Sequence, residues 1–485
     1  MGGRITPEGD PGHMDVDEFR RHGHAVVDWI AGYLEQIEGL PVQSRSAPGE
    51  VRSALPAAPP EDGEPFEALL ADLDRVIVPG LTHWQHPGFF GYFPANASGP
   101  SVLGELLSAG LGVQGMLWST SPAATELEIV VLDWLRQLLG LPERFAPDGP
   151  GGGVLQDSAS SATLCALLAA RTRATDGADL AAGAGAADLV VYTSTQAHSS
   201  VDKAVRIAGL GSERLRVVAV DEDFALRPAA LAAAMDADVA AGRRPCMVVA
   251  TVGTTSSAAI DPVPAIGELA RRHGAWLHVD AAYAGVAAVE PSLRWLNDGL
   301  DAADSYATNP HKWLLVNFDC TAFYVADRGA LVRALEILPE YLRNAATDSG
   351  QVVDFRNWQV PLGRRFRALK LWAVLRWYGA RGLRTHVNSH IALAGELAAR
   401  IGASHHLELA ATQRLGLVCF RHRQGEEASR ALLQAINDTG EAYLTSTELG
   451  GRFALRAAVG APLTERRHVE ALWSLLERSA PGPPG

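Results

Sequence analysis

Ala275-Trp276-Leu277-His278-Val279-Asp280, followed by Ala281-Ala282-Tyr283-Ala284-Gly285, reads as a buried strand that ends in a carboxylate and opens onto small residues. Ligands of open α/β sheets gather outside the carboxyl ends of the strands. The small residues leave room there for a flat ring beside the Asp280 carboxylate. Taken alone, Asp280 is better read as a strand-end residue capping the next turn.

A second stretch changes that balance. Asn309-Pro310-His311-Lys312-Trp313 carries one of only three lysines in 485 residues, the others being Lys203 and Lys370, against 39 arginines. Guanidinium cannot deprotonate in a protein, whereas an amine can. A retained lysine therefore points to chemistry such as a Schiff base with a carbonyl. Pyridoxal phosphate needs this pairing, a lysine for its aldehyde and an Asp that keeps the ring nitrogen protonated.

Outward from these stretches the chain alternates helix and strand. Apolar periodicity predicts helices at Ala123–Leu139, Ala159–Arg173 and Val263–His273. β-rich runs fall at Leu189–Tyr192, Leu215–Val220, Met247–Val252, Trp276–Val279 and Thr321–Val325. Such alternation implies an α/β fold with a mainly parallel sheet covered by helices on both faces. Upstream, Phe19, Val26, Val27, Ile30, Leu34 and Ile37 recur at helical spacing, with Asp15 or Asp17 available as N-cap. Residues 41–65, rich in Pro, Ala and Glu, are expected to form an extended linker. After Arg364 a long helix is expected to about Tyr378. Two β-like runs, Leu415–Arg421 and Phe453–Val459, then suggest a small C-terminal α+β domain. The expected division is 1–98 as an N-terminal helical dimerisation segment, 99–369 as the large cofactor-binding domain, and 370–485 as the small domain.

Composition narrows the function. A net charge of −13 argues against nucleic acid as a partner. No apolar run reaches the length of a membrane span, and Met1 to Asp15 lacks a basic-then-apolar leader. The four cysteines, Cys165, Cys246, Cys320 and Cys419, lie in apolar stretches without metal-like spacing. No metal site and a cytoplasmic location are expected.

Two further segments bear on the site. Gly151-Gly152-Gly153-Val154-Leu155-Gln156-Asp157-Ser158-Ala159-Ser160-Ser161 leads into a helix, whose free N-terminal amides suit a phosphate. Gln196-Ala197-His198-Ser199-Ser200 follows a strand, which brings His198 to the same sheet edge.

Together these segments resemble the group II pyridoxal-phosphate-dependent decarboxylases, and within them the aromatic-L-amino-acid decarboxylases. The resemblance extends over nearly the full length. It includes Thr82-His83-Trp84, Tyr92-Phe93-Pro94, Ser121 to Glu128, and Pro361 to Arg367 besides the stretches above. It implies a fold-type I pyridoxal-phosphate enzyme with a seven-stranded type of sheet, active as a homodimer with its site at the interface. Lys312 would carry the cofactor aldehyde and Asp280 would pair with the ring nitrogen. His198 would stack on the ring near the substrate carboxylate, Ala282 would pack on the other face, and Thr251 would lie at the polar edge. Ser158, Ala159 and Ser160 would hold the phosphate with Asn309 and His311.

The same resemblance makes Trp84, Tyr92, Phe93 and Pro94 the substrate pocket, completed by Gln114 and Met116 of the partner subunit. Gly363 leaves space compatible with an indole. Tyr341 would sit in a loop that closes over the site and would protonate Cα, where relatives with phenylalanine divert to aldehyde. One departure stands out: Asp157 occupies a position where the family usually has glycine. It either repels the phosphate, by about 1–2 kcal/mol, or caps the following helix. The expected activity is decarboxylation of an aromatic L-amino acid of the tryptophan, DOPA, tyrosine or phenylalanine type. The alternatives are a same-fold decarboxylase of histidine or 2,4-diaminobutyrate and a non-catalytic cofactor-binding protein.

Overall fold

The computed structural model describes residues 13–337 and 352–480. Its centre is a seven-stranded sheet of β1 (Gly152–Gln156), β2 (Leu189–Ser194), β3 (Leu215–Val218), β4 (Arg244–Thr251), β5 (Trp276–Asp280), β6 (Ser305–Thr308) and β7 (Thr321–Val325). The strand order is β1-β7-β6-β5-β4-β2-β3. Neighbours from β6 through β3 run parallel, and β7 alone is reversed, antiparallel to both β6 and β1. The run of β-branched and aromatic residues in β5 is buried throughout, as expected for a strand covered on both faces.

All five expected strands of this sheet are present. Two more, β1 and β6, carry too many small and polar residues to stand out by pattern. Glycine in β1 reflects close approach: a Cβ on Gly153 would meet the Tyr324 ring at 2.9 Å. The predicted helices appear as Pro122–Leu139, Ala159–Ala174 and Val263–Arg272.

A second, four-stranded antiparallel sheet comprises β8 (Leu407–Leu409), β9 (Leu417–His422), β10 (Thr445–Leu449) and β11 (Arg452–Ala458), in the order β10-β11-β9-β8. The helix leading to it, Arg367–Ala403, breaks at Gly379, whose φ of 59° and ψ of 176° are not helical. That break falls one residue past the expected helix end at Tyr378.

The first helix, Val16–Gln36, starts at Asp15, whose side chain accepts the Glu18 amide while Glu18 returns the bond to the Asp15 N–H. Val16, Phe19, Val27 and Leu34 remain exposed on it. Residues 41–65 are not wholly extended: they contain the helix Glu50–Ala54, whose Glu50 carboxylate accepts the Ala47 amide. Among the described residues no helix is long and apolar enough to cross a membrane.

A buried ion pair fastens these layers together. Arg364 donates to Glu128 Oε1 at 2.6 Å, to the Leu155 carbonyl at 3.0 Å and to the Gly115 carbonyl at 3.2 Å. The same Glu128 oxygen accepts the Leu155 amide at 2.8 Å, and each side chain is only 2% exposed. Removing one member of such a pair leaves a buried charge unpaired. Arg364→Ala is therefore expected to lower unfolding stability by about 3–5 kcal/mol. An unchanged denaturant midpoint would show that the pair carries no such role.

Candidate active site

β5 delivers Asp280 to the carboxyl edge of the sheet, where the carboxylate is buried and one oxygen accepts the Ala282 amide at 3.0 Å. β6 ends one strand away. Parallel pairing aligns Asp280 with Ala307, and Asn309 then donates its amide to the Ala282 carbonyl at 3.1 Å. Pro310 opens a single helical turn, Pro310–Trp313, in which Lys312 bonds back to the Asn309 carbonyl. An amine and a carboxylate 32 positions apart in sequence (312 − 280) thus share one edge. Burial pulls the Lys312 amine below the ordinary lysine value, with Asp280 opposing and Arg456 reinforcing the shift.

His198 joins them from the turn after β2. Its Nδ1 accepts the Ser200 amide at 3.1 Å, so the neutral ring carries its proton on Nε2. The residue as a whole is exposed. Desolvation by the surrounding protein still lowers its pKa, Asp280 raises it, and Lys312 and Lys203 lower it further. Thr251, paired across the sheet with Asp280, has a buried Oγ1 without a hydrogen-bond partner among the described residues.

The other end of this edge is a helix start. Ser158 is the N-cap of the helix Ala159–Ala174 and accepts the Ser161 amide at 3.2 Å. Asp157 is not the cap: its carboxylate accepts the Ser158 hydroxyl at 3.1 Å. A cap needs its side chain over the N3 amide, and Ser158 holds that position. Among the described residues no bond is made by the Ala159 or Ser160 amides, which therefore face outward as donors. Pairing of Gln156 with Thr321, and the Thr321 hydroxyl on Asn309 Oδ1 at 3.0 Å, bring that helix start beside Asn309 and His311. His311 accepts the Cys320 amide on Nδ1 at 2.9 Å, and burial drives its pKa down to about 3.

The aromatic segment is locked to the lysine turn by Asn96. Its amide donates to the His311 carbonyl, its side-chain oxygen accepts the Leu315 amide at 3.1 Å, and its NH2 donates to the Gly460 carbonyl at 2.8 Å. Phe93 consequently lies with its ring 5.5 Å from Lys312 Nζ. Trp84 stacks on Tyr92 at 5.6 Å and contacts Phe89 at 4.5 Å. Pro94 packs at Gly460, where a Cβ would come within 2.5 Å of its ring.

Gln114, Met116 and Gly363 form a separate group. Gln114 Oε1 accepts the Arg364 amide at 2.7 Å, Met116 accepts the Arg356 amide at 3.0 Å, and a Cβ on Gly363 would meet Gln114 Nε2 at 3.4 Å. Among the described residues no hydrogen bond, ion pair or ring contact ties this group to Lys312, Asp280 or His198 of the same chain. Tyr341 lies outside the described residues.

Arg456 and Thr445, from the four-stranded sheet, and Tyr443, just before its strand β10, escaped sequence reasoning. Arg456 is buried 5.2 Å from the Phe93 ring, and donates to the Thr255 carbonyl at 2.7 Å, the Ser256 carbonyl at 3.2 Å and Thr445 Oγ1 at 3.1 Å. Its strand was visible in the sequence, but nothing local says which cavity a strand more than a hundred residues away will border.

A buried amine beside a carboxylate, an unspent helix N-terminus and an unpartnered Thr251 hydroxyl at one sheet edge fit pyridoxal phosphate. Fold and site together define a fold-type I pyridoxal-phosphate enzyme. The family model described as "Pyridoxal-dependent decarboxylase conserved domain" matches residues 48–423, and the chain belongs to that family, whose decarboxylases are carbon–carbon lyases. It is 45% identical to phenylacetaldehyde synthase of Arabidopsis thaliana over 96% of each chain. It is also 45% identical to aromatic-L-amino-acid decarboxylase of Bos taurus, over 96% of this chain and 97% of that one. The crystal structure of Oryza sativa TDC with PLP and tryptamine superposes with a TM-score of 0.94 at 42% identity, covering 96% of this chain and 98% of the other.

Three buried imidazoles around this core set an acid limit. Desolvation lowers His278 to about 4, His311 to about 3 and His390 to about 4, whereas unfolded histidine titrates near 6.5. Below pH 6.5 the unfolded chain binds protons that the fold refuses, so stability is full above that pH and falls on acidification. Each imidazole contributes about 1.4 kcal/mol per pH unit in that window. Asp261, raised to about 6 by burial, opposes them with one proton. The thermal midpoint is expected to drop steadily from pH 6.5 to 4.5; a flat profile would contradict the buried neutral assignment.

Proposed function

We propose that the chain decarboxylates an aromatic L-amino acid to the amine and carbon dioxide, as a homodimer in the cytoplasm. The observation that carries this reading is the Lys312–Asp280–His198 group lying beside the aromatic wall of Trp84, Phe89, Tyr92 and Phe93. The Bos taurus relative named above is an aromatic-L-amino-acid decarboxylase. The exposed apolar faces of Val16–Gln36 and of Gly99–Leu111, with Leu103, Leu106, Leu107 and Leu111, support a partner subunit. In this reading Gln114 and Met116 border the pocket of the second copy, beside Gly363. The domain division at 98 and 369 belongs to the same proposal.

The chemistry supplied by bound pyridoxal phosphate is an electron sink for the pair released as the carboxylate leaves Cα. Lys312 would hold the cofactor through its aldehyde, for which an amine of lowered pKa is suited. Asp280 would keep a proton on the ring nitrogen. His198 and Ala282 would flank the ring, and Thr251 would lie by its polar edge. Ser158, Ala159, Ser160, Asn309 and His311 would hold the phosphate, with the Asp157 carboxylate, which accepts the Ser158 hydroxyl, at the same helix start. His198 Nε2–H, fixed by the Ser200 amide, meets the substrate carboxylate. Tyr341 returns the proton to Cα.

Carbon dioxide release across a panel of amino acids tests the reading. Turnover is expected with aromatic substrates; turnover confined to histidine or 2,4-diaminobutyrate, or none at all, would overturn it. Asp280→Ala is expected to lose most activity, and near-normal turnover would remove its assignment. Tyr341→Phe should cut amine formation by about 10²–10⁴-fold, the usual worth of a general acid. Carbon dioxide release should fall less, with aldehyde and hydrogen peroxide appearing. Amine at the wild-type rate without peroxide would leave His198 as the better proton donor.

A further inference from the structure

The helix start at Ser158 spends its donors unevenly. A serine hydroxyl has one proton to give, and that of Ser158 goes to the Asp157 carboxylate at 3.1 Å. Ser158 Oγ in turn accepts the Ser161 amide at 3.2 Å, with the Ser161 hydroxyl also 3.2 Å away. The donors left for an incoming anion are the Ala159 and Ser160 amides, which make no bond among the described residues.

The other groups assigned to the phosphate bring no positive charge. His311 is neutral, because its Nδ1 accepts the Cys320 amide at 2.9 Å and so carries no proton. Asn309 is uncharged, and Lys312 is committed to the aldehyde. Asp157 itself is half-buried and makes no ion pair among the described residues. A phosphate monoester carries about 1.5–2 negative charges at pH 7, and here it would meet neutral donors and a carboxylate. Without the phosphate, the same carboxylate is well placed, since the dipole of the helix favours an anion beside its first turn. Asp157 thus offers the helix start an internal anion in place of the external one.

We propose that Asp157 sets how firmly this chain holds its cofactor. Its carboxylate competes with the phosphate for the helix start, so that pyridoxal phosphate stays exchangeable and occupancy follows the supply of free cofactor. The competition has two parts: Asp157 takes the Ser158 proton that a phosphate oxygen would otherwise accept, and its charge opposes that of the phosphate. The inference rests on the proposed placement of the phosphate at Ser158, Ala159 and Ser160.

The test measures, by calorimetry on the full-length protein stripped of cofactor, the Kd for pyridoxal phosphate and for pyridoxal, which has the aldehyde but no phosphate. Asp157→Asn keeps an acceptor for the Ser158 hydroxyl and removes only the charge. It is expected to bind pyridoxal phosphate about tenfold more tightly than the wild type, equivalent to about 1.4 kcal/mol, with the pyridoxal Kd unchanged. The thermal midpoint of the cofactor-free variant should lie below that of the wild type, and its rise on adding pyridoxal phosphate should be larger. Ala159→Pro checks the placement of the phosphate. Proline is accepted at the first helical position, and Ser158 is already extended at φ −152° and ψ 156°, so this change removes one free amide. It should weaken pyridoxal phosphate, and not pyridoxal, by about tenfold. Unchanged or weaker pyridoxal phosphate binding by Asp157→Asn, or an equal gain for pyridoxal, would overturn the role of Asp157. If Ala159→Pro also left pyridoxal phosphate unaffected, the placement would fall with it. Failure to release carbon dioxide from any aromatic amino acid would overturn the proposed function alone, since neither Kd depends on turnover.

Discussion

One constraint organises the molecule: an amine and a carboxylate must be held together at the edge of a buried sheet. Neither Lys312 nor Asp280 would be tolerable there alone, because an isolated buried charge is costly and each offsets the other. Their alignment depends on the β5–β6 register and on the Asn309 amide bonded to the Ala282 carbonyl. A slip of one residue along β5 would turn Asp280 to the opposite face of the sheet. The glycine at Gly285 serves the same alignment, since a side chain there would collide with Tyr306 and Thr308 of β6.

Around that edge the site is assembled from remote segments through a few polar clamps. Asn96 binds the aromatic segment to the lysine turn and to Gly460, just after β11. Behind the lysine, Phe93 stacks on Tyr283 at 3.8 Å, Tyr283 on Trp313 at 5.1 Å, and the Trp313 indole donates to His390 Nδ1 at 2.9 Å. Gly416, just before β9, closes on this stack, its amide donating to the Tyr283 hydroxyl at 3.2 Å. Packing of the four-stranded sheet and its flanking turns against this edge is therefore part of building the site, and it brings Arg456, Thr445 and Tyr443 with it.

The sheet was legible where residues are β-branched and apolar, as in β4, β5 and β7. It was illegible in β1, whose glycines also suit a loop, and in β6, which is short. Asp280, Lys312 and His198 could be picked out because each ends a strand or follows one in a residue context unusual for a surface. The phosphate end was legible as a helix start, but the cap could not be assigned between Asp157 and Ser158 without coordinates. Arg456 and Tyr443 were invisible for another reason. Their meaning lies in a domain contact, and no local pattern records which face of a small sheet meets a distant pocket.

The claim that Lys312 is the lysine of this site is the one on which everything else rests. Its two rivals are differently placed: Lys370 is buried and ion-paired with Glu105 at 2.6 Å, and Lys203 lies on the helix Ser200–Ile207. Borohydride reduction of the protein loaded with pyridoxal phosphate, followed by mass mapping of peptides, tests the claim directly. The account predicts that the cofactor is fixed to the peptide containing Lys312 and that Lys312→Ala abolishes the adduct. Cofactor fixed to Lys203 or Lys370 in the wild-type protein would contradict it.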